Sequence, residues 1–423
     1  MRNALFPAEG RPWPEVRAEL HARQADDVRW NEGRMLTSSY VIDGDHVLLL
    51  REASADFLVE NAIYAGEFAS KPGTGFGSLV GLRDELLAMV LELFNAPAGA
   101  GGTLTSGGTE SILLAVLGAR EWAKRHRPKA RAPRIVVPRT AHAAFDKAAF
   151  YFGLAVTRVA HGRDGRADVQ ATADALDDDV IMMVGSAPCY PFGVFDPLAD
   201  LARLAEGRGI WFHVDACVGG YLAPFVRRLG HPVPDFDLGL AGVWSLSADL
   251  HKYGFAPKNL SSVLYRDGAL RELSTFSFRD WPAGAYTTAG MGGSRTGGPI
   301  AATWALFHVL GEVGYLEAAR TIMATRDRLY TGLDRLGLRV HGRPELGLVS
   351  YGSDTLDMAA VADVIDERRW SIGRGLEPDR IINLINPINA GSIDAYLDDL
   401  EAAVVAARAG RRRSATAAVY TRG

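Results

Sequence analysis

Apolar positions recur at helical spacing in several segments between residues 81 and 216, and short apolar runs separate these segments. The helical segments are GLRDELLAMVLELFN, SILLAVLGAREWAKRH, AAFDKAAFYFG and LADLARLAEGRG, and the runs are RIVVP, DVIMMVGSAP and IWFHVDA. Short strands that alternate with helices predict βαβ units and a mostly parallel sheet. In such a sheet, ligands bind beyond the carboxyl ends of the strands, so the residues that follow each run are candidates for chemistry.

The pattern differs at the two ends of the chain. Residues 1–60 mix charged and apolar positions, and we interpret them as an arm or lid. After the long helical stretch that begins at Gly298, the segments LRVHG, LGLVSYG and RIINLIN predict short strands among helices. We therefore predict a large α/β domain over residues 61–310 and a smaller α+β domain over residues 311–423.

Composition restricts the class of protein further. The chain has 423 residues with 48% hydrophobic positions, 23% charged positions and a net charge of −4, which argues against a nucleic-acid-binding protein. Only two cysteines are present, Cys189 and Cys217, which argues against a disulfide framework and favours a reducing cytoplasm. No run approaches the roughly 18 apolar residues of a membrane helix, so we expect no integral membrane segment, and we predict no metal site.

The stretch TLTSGGTES, Thr103 to Ser111, places adjacent glycines before an apolar helical run. Free backbone N–H groups at the start of that helix, together with its dipole, would form an anion site of the kind that binds phosphate. The alternative is an ordinary helix N-cap preceded by a glycine turn.

Two further polar residues follow apolar runs. Asp215 ends IWFHVD, where a carboxylate is costly unless it is paired with a cation, although a structural ion pair or a helix cap would explain it equally. Lys252 lies in SADLHKYGFAPK, and a lysine in a largely apolar site can lose its proton and attack carbonyl groups, although most lysines are simply solvated. A phosphate loop, a buried carboxylate and a lysine are what pyridoxal phosphate requires for its phosphate, its pyridinium and its aldehyde.

Several longer motifs then make a resemblance specific. TSGGTESILLAV, HAAFDKAAFYFG, FGVFDP, HVDACVGGY, SADLHKYGFAPK and GGSRTGGPIAATWA closely resemble the sphingosine-1-phosphate lyase family, a group II decarboxylase-like branch of the fold-type I pyridoxal-phosphate enzymes. The match runs in order from about Gly33 to Glu317. It implies a large domain with a seven-stranded, mostly parallel sheet flanked by helices, and a smaller C-terminal α+β domain.

The resemblance also implies roles for individual residues. Lys252 would be the Schiff-base lysine, Asp215 the partner of the pyridinium, and His142 the residue that stacks on one face of the ring. Cys217 would pack against the other face, and Ser186 would bond the phenolic oxygen.

The cofactor phosphate would be held from two chains, according to the same resemblance. Gly108 and Thr109 would bind it from one subunit with the help of His251. Gly293 and Ser294 would reach it from a second subunit, which implies a homodimer with shared active sites.

The substrate-binding residues agree less well with the family. Lys258, Tyr40 and Tyr420 match family positions near the entrance. The family usually reads Asn-Pro-Leu-His where this chain reads NAIY, Asn61 to Tyr64, so Tyr64 replaces a histidine expected to help hold a substrate phosphate. This difference leaves the substrate less certain than the cofactor.

The resemblance implies a lyase that cleaves the Cα–Cβ bond of a phosphorylated long-chain amino alcohol or a related β-hydroxy amine. The alternative within the family is an amino-acid α-decarboxylase, which uses the same cofactor apparatus but a compact side-chain pocket. A third hypothesis, a catalytically silent scaffold, predicts the loss of at least one cofactor residue, and no such loss is visible in the sequence.

Overall fold

The computed structural model of the chain describes residues 9–61 and 75–412. The helices are α1 Trp13–Arg23, α2 Gly44–Ala55, α3 Gly77–Leu93, α4 Gly108–His126, α5 Ala144–Phe152, α6 Val169–Asp174, α7 Leu198–Arg208, α8 Ala223–Arg228, α9 Gly268–Glu272, α10 Gly298–Leu336, α11 Met358–Glu367 and α12 Ile393–Arg408. The strands are β1 Gly101–Thr105, β2 Arg134–Pro138, β3 Ala155–Val159, β4 Val180–Ser186, β5 Trp211–Asp215, β6 Ser245–Ala248, β7 Ser261–Tyr265, β8 Phe276–Phe278, β9 Tyr286–Thr288, β10 Arg339–Val340, β11 Leu348–Gly352, β12 Gly373–Gly375 and β13 Arg380–Leu384.

A seven-stranded sheet forms the centre of the molecule, with strand order β1-β7-β6-β5-β4-β2-β3. β7 runs antiparallel to both of its neighbours, and the other neighbouring pairs are parallel. The prediction of a mostly parallel sheet is therefore confirmed. Its central strands are buried throughout, which explains why they read as nearly continuous apolar runs.

Helices cover both faces of this sheet because successive side chains of a strand point to opposite sides. In β2, Ile135 and Val137 pack with buried residues of α4 and α5, such as Phe145. Val136, between them, packs in a separate core that includes Leu198 and Leu201 of α7. Successive side chains of this one short strand thus pack against helices on opposite faces of the sheet.

A second, four-stranded antiparallel sheet, ordered β10-β11-β13-β12, lies in the C-terminal part. The strands predicted from LRVHG, LGLVSYG and RIINLIN are confirmed as β10, β11 and β13. An N-terminal segment extends this sheet, since Leu36 N donates to Ser371 O at 2.8 Å and Leu384 N donates to Leu36 O at 2.7 Å. The proposed boundary at residue 310 falls beside Gly311, a non-helical residue within α10, and the division into three units stays a prediction.

Within the described ranges, every helix is too short or too polar to cross a lipid bilayer.

Candidate active site

A cavity of about 700 Å³ opens where the strands of the central sheet end. Eight of the residues singled out from the sequence line it together: Gly108, Thr109, His142, Ser186, Asp215, Cys217, His251 and Lys252. They lie at or just after the carboxyl ends of β1, β2, β4, β5 and β6, which share one edge of the sheet. The residues that end or follow the apolar runs therefore lie together, as expected for ligand sites at the carboxyl ends of parallel strands.

The glycine loop leads directly into α4. The N-cap residue Gly107 provides no side-chain cap, so the first-turn N–H groups of α4 have no capping oxygen from that position. A side chain at Gly108 would not fit, because its Cβ would lie 2.8 Å from Cys217 Sγ and 2.9 Å from both carboxylate oxygens of Asp249. The start of this 19-residue helix is thus a tight, uncapped helix N-terminus, which suits a phosphate better than an ordinary capped helix start does.

Asp215 is a buried carboxylate that accepts hydrogen bonds from neighbouring residues and makes no ion pair in the described chain. Cys217 N donates to its Oδ1 at 3.1 Å, and Ser247 Oγ lies 3.5 Å from the same atom. No arginine, lysine or histidine nitrogen within residues 9–61 and 75–412 lies within 4.0 Å of its oxygens. The structural ion pair considered from the sequence is therefore not found, and Asp215 is suited to pair with a cationic group of a ligand.

His142 and Cys217 carry no charge in this environment. Ala144 N donates to His142 Nδ1 at 3.0 Å, so the ring proton is on Nε2, and burial lowers the pKa of the imidazole. Burial also raises the pKa of the Cys217 thiol well above its usual value, and Cys217 Sγ donates to Ser247 Oγ at 3.3 Å. A flat neutral ring and a small neutral thiol can both pack on an aromatic cofactor.

The surroundings of Lys252 raise its pKa, whereas the apolar site expected from the sequence would lower it. Its Nζ lies 2.9 Å from Asp249 Oδ2, and the Asp249 side chain is only 2% exposed. Burial alone lowers the pKa of Lys252, but the Asp249 carboxylate outweighs it and raises that pKa well above the usual value. The expectation from the sequence considered the apolar surroundings of Lys252 and not the Asp249 carboxylate within one turn of the chain.

His251 lies beside the glycine loop, where its Cε1 is 3.6 Å from the position that a Cβ would occupy at Gly107. Its Nδ1 is buried and has no hydrogen-bond partner among the described residues. Burial lowers the pKa of this ring, and the Asp249 carboxylate opposes that effect. A buried nitrogen that lacks a protein partner, next to an uncapped helix N-terminus, fits a ligand phosphate oxygen.

Several residues implied by the resemblance lie outside the cavity lining. Lys258 Nζ donates to Ser38 O at 2.7 Å and lies 5.7 Å from the centroid of the Tyr40 ring. Asn61 Nδ2 donates to Ser294 Oγ at 2.9 Å. Gly293 is likewise absent from the lining. Tyr64 and Tyr420 lie outside the described residues.

The site predicted from the sequence did not include other residues that line the cavity, among them Ser106, Lys147, Tyr190 and Asp249. Asp249 carried a detectable signal, since an aspartate three positions before a lysine can meet it within one turn. Lys147 had a weaker one, as it lies in the first turns of α5 shortly after His142. Tyr190 had no such signal in the sequence, because it lies in the loop between β4 and α7.

Comparison with known proteins agrees with this geometry. The family model described as the pyridoxal-dependent decarboxylase conserved domain matches residues 78–351. The sphingosine-1-phosphate lyase of Arabidopsis thaliana is 36% identical over 404 residues, covering 93% of this chain and 72% of the relative. Sphingosine-1-phosphate lyase 1 of Rattus norvegicus is 38% identical over 368 residues, covering 86% of this chain and 63% of the relative.

A solved structure extends the likeness to the fold. The Burkholderia pseudomallei K96243 sphingosine-1-phosphate lyase superposes with a TM-score of 0.90 at 35% identity, covering 96% of this chain and 94% of that chain. The uncapped α4 N-terminus, the unpaired carboxylate of Asp215 and the buried Nδ1 of His251 fit the phosphate and pyridinium of pyridoxal phosphate. The chain therefore belongs to the pyridoxal-dependent decarboxylase family and, within it, to the pyridoxal-phosphate-dependent lyases of the sphingosine-1-phosphate lyase group.

Proposed function

We propose that this enzyme cleaves the Cα–Cβ bond of a phosphorylated long-chain amino alcohol, or a related β-hydroxy amine, and releases an aldehyde and a small amine. The observation that carries the proposal is the cavity itself. It gathers eight residues that the family motifs single out, in a chain that resembles sphingosine-1-phosphate lyases over most of its length.

The chain's own residues would bind and orient the cofactor. Pyridoxal phosphate, when bound, supplies an electron sink for the negative charge that develops beside the substrate amine. Asp215 holds a proton on the ring nitrogen, because a buried carboxylate favours a cation next to it. The first N–H groups of α4, at Gly108 and Thr109, bind the phosphate together with His251. The neutral ring of His142 packs on the cofactor without adding charge.

Proton transfer needs groups that face the cavity. Cleavage requires a base for the β-hydroxyl proton and an acid that returns a proton to Cα. Lys252 Nζ is paired with the Asp249 carboxylate, and Tyr190 lines the same cavity. We assign the return of the proton to one of these two residues.

We further infer that the active enzyme is a homodimer with shared active sites. Phe276, Phe278, Trp281 and Met291 are about half exposed, at 56%, 47%, 51% and 49%, and they lie on or near the β8–β9 hairpin. A second copy of the chain would cover this apolar surface. Gly293 and Ser294 do not line the cavity of their own chain, which supports their proposed role in the site of a partner.

A cytoplasmic location is part of the same proposal. Cys189 and Cys217 are both free and buried, as expected of a protein that functions in a reducing compartment.

A second candidate is an amino-acid α-decarboxylase, because the family model that matches the chain is named for that reaction. The test incubates the enzyme with phosphorylated amino alcohols, their free alcohols and α-amino acids, and follows aldehyde and carbon dioxide in parallel. We expect aldehyde from the phosphorylated amino alcohols without carbon dioxide. Carbon dioxide from an α-amino acid without aldehyde would reverse the assignment.

A further inference from the structure

Lys252 and Asp249 form a pair within one turn of the chain. Lys252 N donates to Asp249 O at 3.0 Å, which closes the turn and places both side chains on one side of it. Lys252 Nζ then lies 2.9 Å from Asp249 Oδ2. The roles proposed above for the phosphate loop and for Asp215 do not account for a second buried carboxylate at Asp249.

A chain of buried hydroxyls fixes the Asp249 carboxylate. Ser261 Oγ donates to Asp249 Oδ1 at 2.5 Å, so the proton of Ser261 is used. Ser111 Oγ, 3.0 Å from Ser261 Oγ, must therefore donate to Ser261. Thr105 Oγ1, 2.6 Å from Ser111 Oγ, in turn donates to Ser111. All three hydroxyl residues are fully buried, so the network aims Oδ2 at Lys252 in a fixed direction.

Asp249 is also packed against the glycine loop. Both of its oxygens lie 2.9 Å from the position that a Cβ would take at Gly108, so glycine at that position leaves the space that the carboxylate needs. The side chain is only 2% exposed, so its carboxylate is largely shielded from solvent. The pair is therefore preorganised by β1, α4, β6 and β7 together.

We propose that Asp249 is a positioning residue for Lys252: it holds the ammonium group toward the cavity and sets the pH at which Lys252 reacts with an aldehyde. Attack on a carbonyl requires the neutral amine. A proton must therefore leave Nζ, with no other bond broken, before the carbon–nitrogen bond forms. This inference rests on the proposed role of Lys252 as the cofactor lysine.

Other titratable groups act on the same pair and must be considered in any pH profile. Those that act on it directly are Tyr40, His142, Cys217, Tyr221, His251 and Lys258, and Asp215 acts on His142 and Cys217. His142 is neutral and Cys217 is protonated in this site, for the reasons given above. Asp249 is the anion in direct contact with Lys252, so its removal should dominate the change.

The experiment uses the full chain after the cofactor has been removed with hydroxylamine and gel filtration. Formaldehyde and cyanoborohydride methylate lysines, and peptide mapping follows each lysine separately from pH 6 to pH 10. Exposed Lys129 is the internal control for reagent chemistry. Asp249→Asn keeps the shape of the side chain and removes its charge, and we expect Lys252 in this variant to react roughly tenfold or more faster near pH 8.

The wild-type protein tests the inference without any variant. Lys252 should require a higher pH than Lys129 for half-maximal methylation, and a lower pH would overturn the proposal. An Asp249→Asn profile that coincides with the wild type at Lys252 would overturn it as well. Borohydride reduction of the loaded enzyme is a separate control: a cofactor fixed to another lysine would refute the role of Lys252, and with it the premise, whatever the pH profile.

Discussion

The carboxylate of Glu110 joins the phosphate loop to the backbone of Met291. Its Oε2 accepts both the N–H and the hydroxyl of Ser106 at 2.6 Å, and its Oε1 accepts the N–H of Met291 at 2.7 Å. Burial raises the pKa of Glu110, but these hydrogen bonds outweigh it, so the pKa is lower than usual and the group is a carboxylate. Met291 shortly precedes Gly293 and Ser294, so one side chain links the phosphate loop to the segment that we propose serves a partner subunit.

Glu110→Gln should therefore weaken cofactor binding. The amide cannot accept at both ends, and hydrogen bonds to a charged group contribute about 1.5 to 3 kcal/mol, or roughly ten- to a hundredfold in the dissociation constant. Titration of the cofactor-free protein, followed by cofactor absorbance, measures this constant. Glu121→Gln, three turns further along the same helix and outside the cavity lining, is the matched control. Equal cofactor affinity in the two variants would show that the Glu110 contacts do not support the loop.

Lys252→Ala should give a folded protein that cannot form a covalent bond to the cofactor. The reason is that Lys252 is the only lysine that both lines the cavity and follows β6 in the described chain, whereas Lys147 lies on α5. Borohydride reduction and peptide mapping locate the attachment. A reduced adduct on Lys147 or Lys258 of the wild-type enzyme would refute the assignment. Lys258→Ala, which changes a lysine outside the cavity lining, should retain the adduct.

The position of the cavity residues could be predicted from the sequence because it follows from local rules. Runs such as IWFHVD and RIVVP end at the same edge of the sheet, and parallel strands bring their ends together whatever the intervening helices contain. Two adjacent glycines before an apolar helical run likewise indicate a helix N-terminus without a side-chain cap. Eight cavity residues were found by this reasoning together with the family motifs.

Features that depend on contacts between distant segments could not be predicted. The direction of the Asp249 carboxylate depends on a hydrogen bond from Ser261 on another strand. The short strand β12 consists of Gly-Arg-Gly, so its sequence carries no strand signal. The addition of Leu36 to the small sheet joins residues that are far apart in the chain. Such pairings have no local period to detect.

Asp215→Ala should lower kcat strongly while the protein stays folded and still binds the cofactor. Without this carboxylate, the ring nitrogen would lose the charge that we propose keeps it protonated, so the ring would store negative charge less well. Removal of a preorganised electrostatic group of this kind costs about a hundredfold or more in kcat. Steady-state kinetics at saturating cofactor measure the loss, with the exposed-site variant Asp235→Ala as control. A decline of only a few-fold with cofactor bound would contradict the role.

His213 should make the protein sensitive to acid. It is completely buried below the site, its Nδ1 lies 2.8 Å from Ser245 Oγ, and burial lowers its pKa to about 4. Its neutral form is thus favoured in the folded state, so its contribution to stability is complete above the unfolded pKa of 6.5 and is lost as the pH falls toward 4.

The corresponding variant is His213→Gln, which cannot take up a proton in this range. Between pH 7 and pH 5, the wild-type protein should lose about 2 kcal/mol more of its free energy of unfolding than the variant does. Thermal unfolding at both pH values, on cofactor-free protein, gives the comparison. If the wild type and the variant lose the same stability over this interval, the buried neutral imidazole is not the cause of acid sensitivity.

The substrate prediction depends on the pair formed by Lys258 and Tyr40. Lys258 Nζ is held 2.7 Å from Ser38 O and lies over the Tyr40 ring, and burial, followed by the charge of Lys252, lowers its pKa. Asp249 partly opposes this decrease. If this cation binds a substrate phosphate, Lys258→Ala should raise KM for the phosphorylated amino alcohol and leave the free alcohol nearly unchanged. Lys129→Ala is the control, since Lys129 is exposed on a distant loop.

Tyr64→His provides the opposite change at the same proposed phosphate site. A histidine can supply a cationic contact that tyrosine cannot, so the ratio of kcat/KM for the phosphorylated substrate to that for the free alcohol should rise. The two variants should thus move this ratio in opposite directions, and the double variant separates their contributions. If neither variant alters the ratio, while an α-amino acid releases carbon dioxide, the entrance does not select phosphate and the enzyme is a decarboxylase.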